Sequence, residues 1–168
     1  MHFLEENEGC DVDCYFQRKP EKLVLEGYRR WMAGFETGSV APWEMTWELY
    51  AAALGARPGR QALAELSNFV RTLRHCAACP MRSFPFNAHH ICRDECLTLG
   101  LIAGYQHGDR RTAQTCLSAI ACAARGPQIS EAAESFADTL AALDQKLLPI
   151  PQFAIEDVLA RSRSQTVH

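Results

Sequence analysis

No stretch of this chain approaches the roughly 18 consecutive apolar residues that a membrane-spanning helix needs, so no membrane span is expected. Sustained period-two alternation of β-branched residues is missing too, which argues against a sheet. There is no repeat of fixed period and no low-complexity tract. P-loop, GxGxxG, GxSxG and HExxH patterns are all lacking, which removes the common nucleotide-binding, hydrolase and zincin readings. A dominant charge sign is lacking as well: 17 Lys and Arg stand against 20 Asp and Glu, for a formal net charge of −3. That balance gives no bulk attraction to nucleic acid or anionic membrane. Arg110-Arg111 and Arg161/Arg163 read as solvated helix-end and tail charge. The opening residues, Met1 to Glu6, have no uninterrupted apolar run and do not read as a signal or transit sequence. A cytoplasmic protein is expected.

What is present is an ordinary globular composition. The chain has 168 residues, 48% hydrophobic and 22% charged, enough for one domain with a core that needs no disulfide staples. Residues 1–19 lack periodicity and carry Glu5, Glu6, Glu8, Asp11 and Asp13, which reads as an irregular acidic arm packing through Tyr15 and Phe16. Residues 20–160 read as a single helical domain and 161–168 as a frayed tail.

Within the domain, apolar residues recur at helical spacing between glycine and proline punctuation. Pro20 opens a helix with a Leu23, Tyr28, Trp31, Met32, Phe35 stripe, ended by Gly34 and Gly38. Ser39 and Pro42 open a second, with Trp43, Trp47, Tyr50 and Leu54 on one face. Pro58 and Gly59 open a third, buried through Leu63, Leu66, Phe69, Val70 and Leu73. After a loop at 80–87, Asn87 is the expected cap of a fourth helix reaching Gln106. Gly100 and Gly104 there imply close approach by a neighbouring helix. A fifth is expected over 110–125, stopped by Gly126-Pro127, a sixth from Ser130, and a short last one near Phe153–Leu159. The fold class predicted is all-α: a bundle of five to seven helices joined by short Gly/Pro turns.

One window carries chemistry. Four of the eight cysteines fall in Cys76-x2-Cys79-x12-Cys92-x3-Cys96, with His75 before it and His89-His90 inside it. Thiolate and imidazole are the donors that soft and borderline metals prefer. On facing helices the i, i+3 and i, i+4 pairs would approach a four-thiolate site, with His75, His89, His90 or Cys122 substituting. Zinc is the metal expected first; an iron–sulfur cluster or copper(I) are the lesser alternatives. Hairpin symmetry about Gly108 places Cys116 near Gly100 and Cys122 near Cys92 and Cys96.

The same cysteines also continue apolar helix faces, so they read equally as inert core thiols with no cofactor bound. Three roles follow: a metal-pinned structural or regulatory bundle, a metal-free interaction module with a protein partner or a second copy, and a thiol- or metal-dependent enzyme. Cys76-x2-Cys79 fits thiol catalysis poorly, because a helix C-terminus does not lower a thiol pKa. Cys10-x3-Cys14 is a second pair, read as exposed thiols or a ligand-donating lid. Asp94 and Glu95 are expected on the solvated side of the fourth helix, where they complement its dipole.

Overall fold

The computed structural model describes residues 17–86 and 88–166, with side chains described through Arg163. The described residues form helices α1 (Lys19–Thr37), α2 (Ala41–Leu54), α3 (Ala56–Cys76), α4 (Arg93–Gln106), α5 (Arg110–Ile120), α6 (Gly126–Ala142) and α7 (Gln152–Thr166). No strand occurs among them. The all-α expectation is met. Cys10, Cys14, Tyr15 and Phe16 of the expected acidic arm, and Asn87, the expected cap, lie outside the described residues.

Proline and glycine set several helix ends as their backbone preferences require. Pro20 and Pro42 stand in the first turns of α1 and α2, where no N–H is needed. Gly38 closes α1 in the left-handed region at φ 69°. Gly108 turns the chain between α4 and α5 at φ 67°, and Asp109 then caps α5 by accepting from Thr112 N–H. The connection between α3 and α4 is different. It occupies all of residues 77–92.

Helix α4 organises the molecule. It packs against α1, α5, α6 and α7, and every residue from Asp94 to Gly104 is buried. A helix apolar all round is one surrounded on all sides, so the single inward face expected from the sequence understates its burial. Gly100 and Gly104 allow that crowding. A Cβ on Gly100 would lie 2.9 Å from Cys116 Sγ, and one on Gly104 would lie 3.1 Å from the Ala113 backbone. The expected neighbourhood of Cys116 and Gly100 is thus present. Around α4, α3 packs on α2 and on α6, where Phe69 meets Phe136 with ring centroids 5.8 Å apart.

Several boundaries differ from expectation, each for a physical reason. Helix α4 starts at Arg93 with Cys92 as its N-cap, because side chains of α1 and α4 hold the backbone of Ala88, His90 and Cys92 outside the helix. His89 and His90 therefore precede the helix instead of forming its first turn. Helix α3 ends at Cys76, so Cys79 is not helical. Helix α5 stops at Ile120, whose carbonyl accepts from Ala78 N–H at 2.9 Å while Ala121 turns extended. Gly126-Pro127 begins α6 instead of ending α5, since proline suits a first helical turn as well as it suits a stop. Helix α7 continues to Thr166, through most of the expected tail.

Glu21 gives the fold a pH dependence. It is fully buried at the start of α1, accepts from Leu148 N–H at 3.2 Å and pairs with Arg18. Burial raises its pKa above the ordinary value, against the lowering pull of the Leu148 amide and the Arg18 charge. A carboxyl whose pKa is raised on folding adds stability below its unfolded pKa, and that stability is lost as pH rises through the folded value. Glu21→Gln keeps an acceptor for Leu148 and removes the charge. Its urea midpoint, relative to the native chain, is expected to rise between about pH 4 and pH 7. A difference that stays flat over that range would contradict the assignment.

Candidate functional site

The long connection 77–92 is shaped by a buried polar network. Arg29 of α1 is 2% exposed, and Glu95 in the first turn of α4 is fully buried. Arg29 Nε donates to Glu95 Oε2 at 2.6 Å and Nη2 to Oε1 at 3.2 Å. The same guanidinium donates to the carbonyls of His90 at 2.7 Å and Ala88 at 3.2 Å. Glu95 accepts in addition from the backbone N–H groups of Phe84 and Cys92, both at 3.0 Å. Asp94 takes the Arg82 N–H at 2.7 Å and Arg93 Nη1 at 2.8 Å, and Tyr28 Oη donates to Arg82 O at 2.7 Å. Nearly every loop group gripped is a main-chain atom.

Asp94 and Glu95 are therefore not on a solvated face. The bland dipole explanation for them fails, because the loop and Arg29 cover that side of the helix. A signal for this was present in the sequence. Arg29 stands four residues after Leu25 and three before Met32, inside the α1 apolar stripe, where an arginine must find a buried partner.

The fixed loop forms one wall of a groove of about 1600 Å³. Its other walls are the start of α4, the Arg111–Ser118 face of α5 and the Val158–Arg163 stretch of α7. Among the described residues five arginines line it, Arg82, Arg93, Arg111, Arg161 and Arg163, against the single carboxylate of Asp94. Asp94 is already engaged by Arg93. Arg93 also donates to Ala119 O at 3.3 Å, and Arg161 pairs with Asp157 at 3.2 Å. Met81, Phe84, Ile91, Val158 and Leu159 supply apolar wall between the charges. Arg161 and Arg163, read from sequence as tail charge, belong to this lining.

Four of the expected metal ligands, Cys79, His90, Cys92 and Cys96, line the same groove. They share it without converging: among the described residues no three His, Cys, Asp or Glu side chains are grouped so as to hold a metal ion. Cys76 is buried at the end of α3, where its thiol donates to Gln128 Oε1 at 2.8 Å. His75 is exposed, and its carbonyl accepts from Arg125 Nη1. His89 is exposed on the loop. Cys122 is exposed beyond the end of α5 and lines no part of the groove.

Burial pushes the thiols of Cys92 and Cys96 up to about 12, Cys92 being further raised by the Glu95 charge. Burial raises Cys116 as well, with Cys96 as its neighbour. Such thiols stay protonated at neutral pH, the form least able to attack an electrophile. Cys92 instead has a capping part. Its N–H donates to Glu95 and its sulfur accepts from the Glu95 N–H, a capping box at the helix start.

No protein family, curated protein or solved structure matches the chain. No described helix is long and apolar enough to cross a membrane.

Proposed function

We propose that this protein is a helical interaction module whose arginine-lined groove holds an acidic, partly apolar segment of a protein partner. The supporting observation is the concentration, among the described residues, of five arginines against one carboxylate, in a chain whose net charge is −3. Guanidinium groups stay charged at all physiological pH values and present paired N–H donors that match a carboxylate. A concave site with low-dielectric walls focuses such a field. The interspersed Met81, Phe84, Ile91, Val158 and Leu159 favour a ligand with apolar side chains between its acids. A bare phosphate chain would leave those walls unfilled.

The test uses full-length protein in which Glu5, Glu6, Glu8, Asp11 and Asp13 are changed to Gln or Asn, so that no acidic stretch of the chain competes. A fluorescein-labelled peptide of alternating glutamates and leucines is titrated and followed by anisotropy. Binding is expected to weaken with salt and to fall about tenfold in an added Arg82→Glu, Arg111→Glu variant, both residues being exposed. Binding unaffected by that variant would overturn the reading. So would a single-stranded oligonucleotide that outcompetes the peptide.

A further inference from the structure

The chain itself carries a segment with the chemistry this groove selects. Residues 1–16 contain Glu5, Glu6, Glu8, Asp11 and Asp13, with no Lys or Arg among them. Between and around those acids stand Phe3, Leu4, Val12, Tyr15 and Phe16. Five carboxylates and five large apolar side chains thus match, in composition, the five arginines and the apolar wall that the described residues give the groove. We infer that residues 1–16 are the chain's own occupant of the arginine groove, an acidic strap that a partner must displace. The inference rests on the groove being a binding site for acidic segments, as proposed above.

Reach permits it. Helix α1 begins beside Leu148, as the Glu21 contact shows, and Leu147 next to it bonds Gln106 and His107 at the end of α4. The far end of the groove lies at the start of α4, by Cys92 and Cys96, and its near end at Arg111. Fourteen helical residues span about 21 Å, whereas sixteen extended residues span roughly 53 Å. The strap therefore has more than twice the length it needs. Charge and length both favour this occupant over a second copy of the chain, whose five acids would have to arrive from solution.

Tethering sets the size of the effect. A short tether gives an effective concentration on the order of 1 mM, so a strap of roughly 100 μM intrinsic affinity weakens an outside ligand about tenfold.

The experiment compares three full-length proteins: the native chain, the variant neutralised at the five N-terminal acids, and a control. The control removes five exposed acids elsewhere, through Glu36→Gln, Glu44→Gln, Glu48→Gln, Glu131→Gln and Asp138→Asn. Two probes are titrated: the glutamate–leucine peptide, and a peptide of residues 1–16 with serine for both cysteines. Both probes are expected to bind the N-terminal variant about tenfold more tightly than the native chain, with the control resembling the native chain. Equal binding to native and N-terminally neutralised proteins would overturn the strap and leave the groove reading intact. An equal gain in the control would overturn it also, because overall charge would then explain the effect. Failure of both probes on every protein would overturn the groove reading and the strap with it.

Discussion

Replacing Glu95 with alanine is expected to lower the folding free energy by about 3–5 kcal/mol, the cost of stranding a buried charge. Arg29, 2% exposed, would keep its charge among apolar neighbours with only Glu26 at 3.4 Å and two carbonyls for company. The Phe84 and Cys92 N–H groups would lose their acceptor in the same step. For a chain of this size the melting temperature should fall by roughly 6–20 °C. Glu95→Gln keeps one acceptor oxygen and should fall between the alanine variant and the native chain. Thermal melts followed by circular dichroism check both. Release of the loop should also speed labelling of Cys92, which the intact loop half-covers. A loss below about 1 kcal/mol would show that other contacts hold the loop.

The second large effect is expected at Gly34→Ala. A Cβ there would lie 2.2 Å from Trp43 Nε1 and 2.6 Å from Cε2, so the indole must move. It has little freedom to do so. Trp43 donates to Trp31 O at 3.1 Å, stacks on Trp31 at 5.1 Å between centroids and meets Phe35 edge-on at 5.2 Å. Displacing it separates α1 from α2 along their shared aromatic seam. The helix gains about 1 kcal/mol of propensity from alanine. Overpacking costs typically 1–3 kcal/mol, and each lost aromatic pair about 0.5–1.5 more. The net loss should be about 1–5 kcal/mol, with a changed tryptophan emission as the local readout. An alanine variant as stable as the native chain would show that the seam relaxes freely.

The helices were legible in the sequence because their determinants are local. Apolar stripes at helical spacing, Pro20 and Pro42 at starts and Gly38 and Gly108 at turns all act within a few residues. The start of α4 was not legible, because Arg29 and Glu95 stand 66 residues apart. Their pairing holds the backbone of Phe84, Ala88, His90 and Cys92 outside the helix, so α4 begins only at Arg93. Gly126-Pro127 was ambiguous in itself, since the pair suits a stop and a start alike.

The candidate site divides in the same way. Cysteine spacing singled out a stretch whose Cys79, His90, Cys92 and Cys96 line one groove. It could not say whether their side chains meet. The arginines were individually visible, yet Arg82, Arg93, Arg111, Arg161 and Arg163 come from four elements far apart in the chain. Periodicity tells which face of a helix is polar, but not which polar faces the fold will bring together.

The network under the loop holds backbone atoms of Arg82, Phe84, Ala88, His90 and Cys92, and almost none of their side chains. Shape and recognition are thereby separated. The anchors Tyr28, Arg29, Asp94 and Glu95 fix the course of the rim whatever side chains it displays. The exposed rim side chains can be exchanged in a way the anchors cannot, so the loop can vary in sequence without rebuilding the scaffold beneath it.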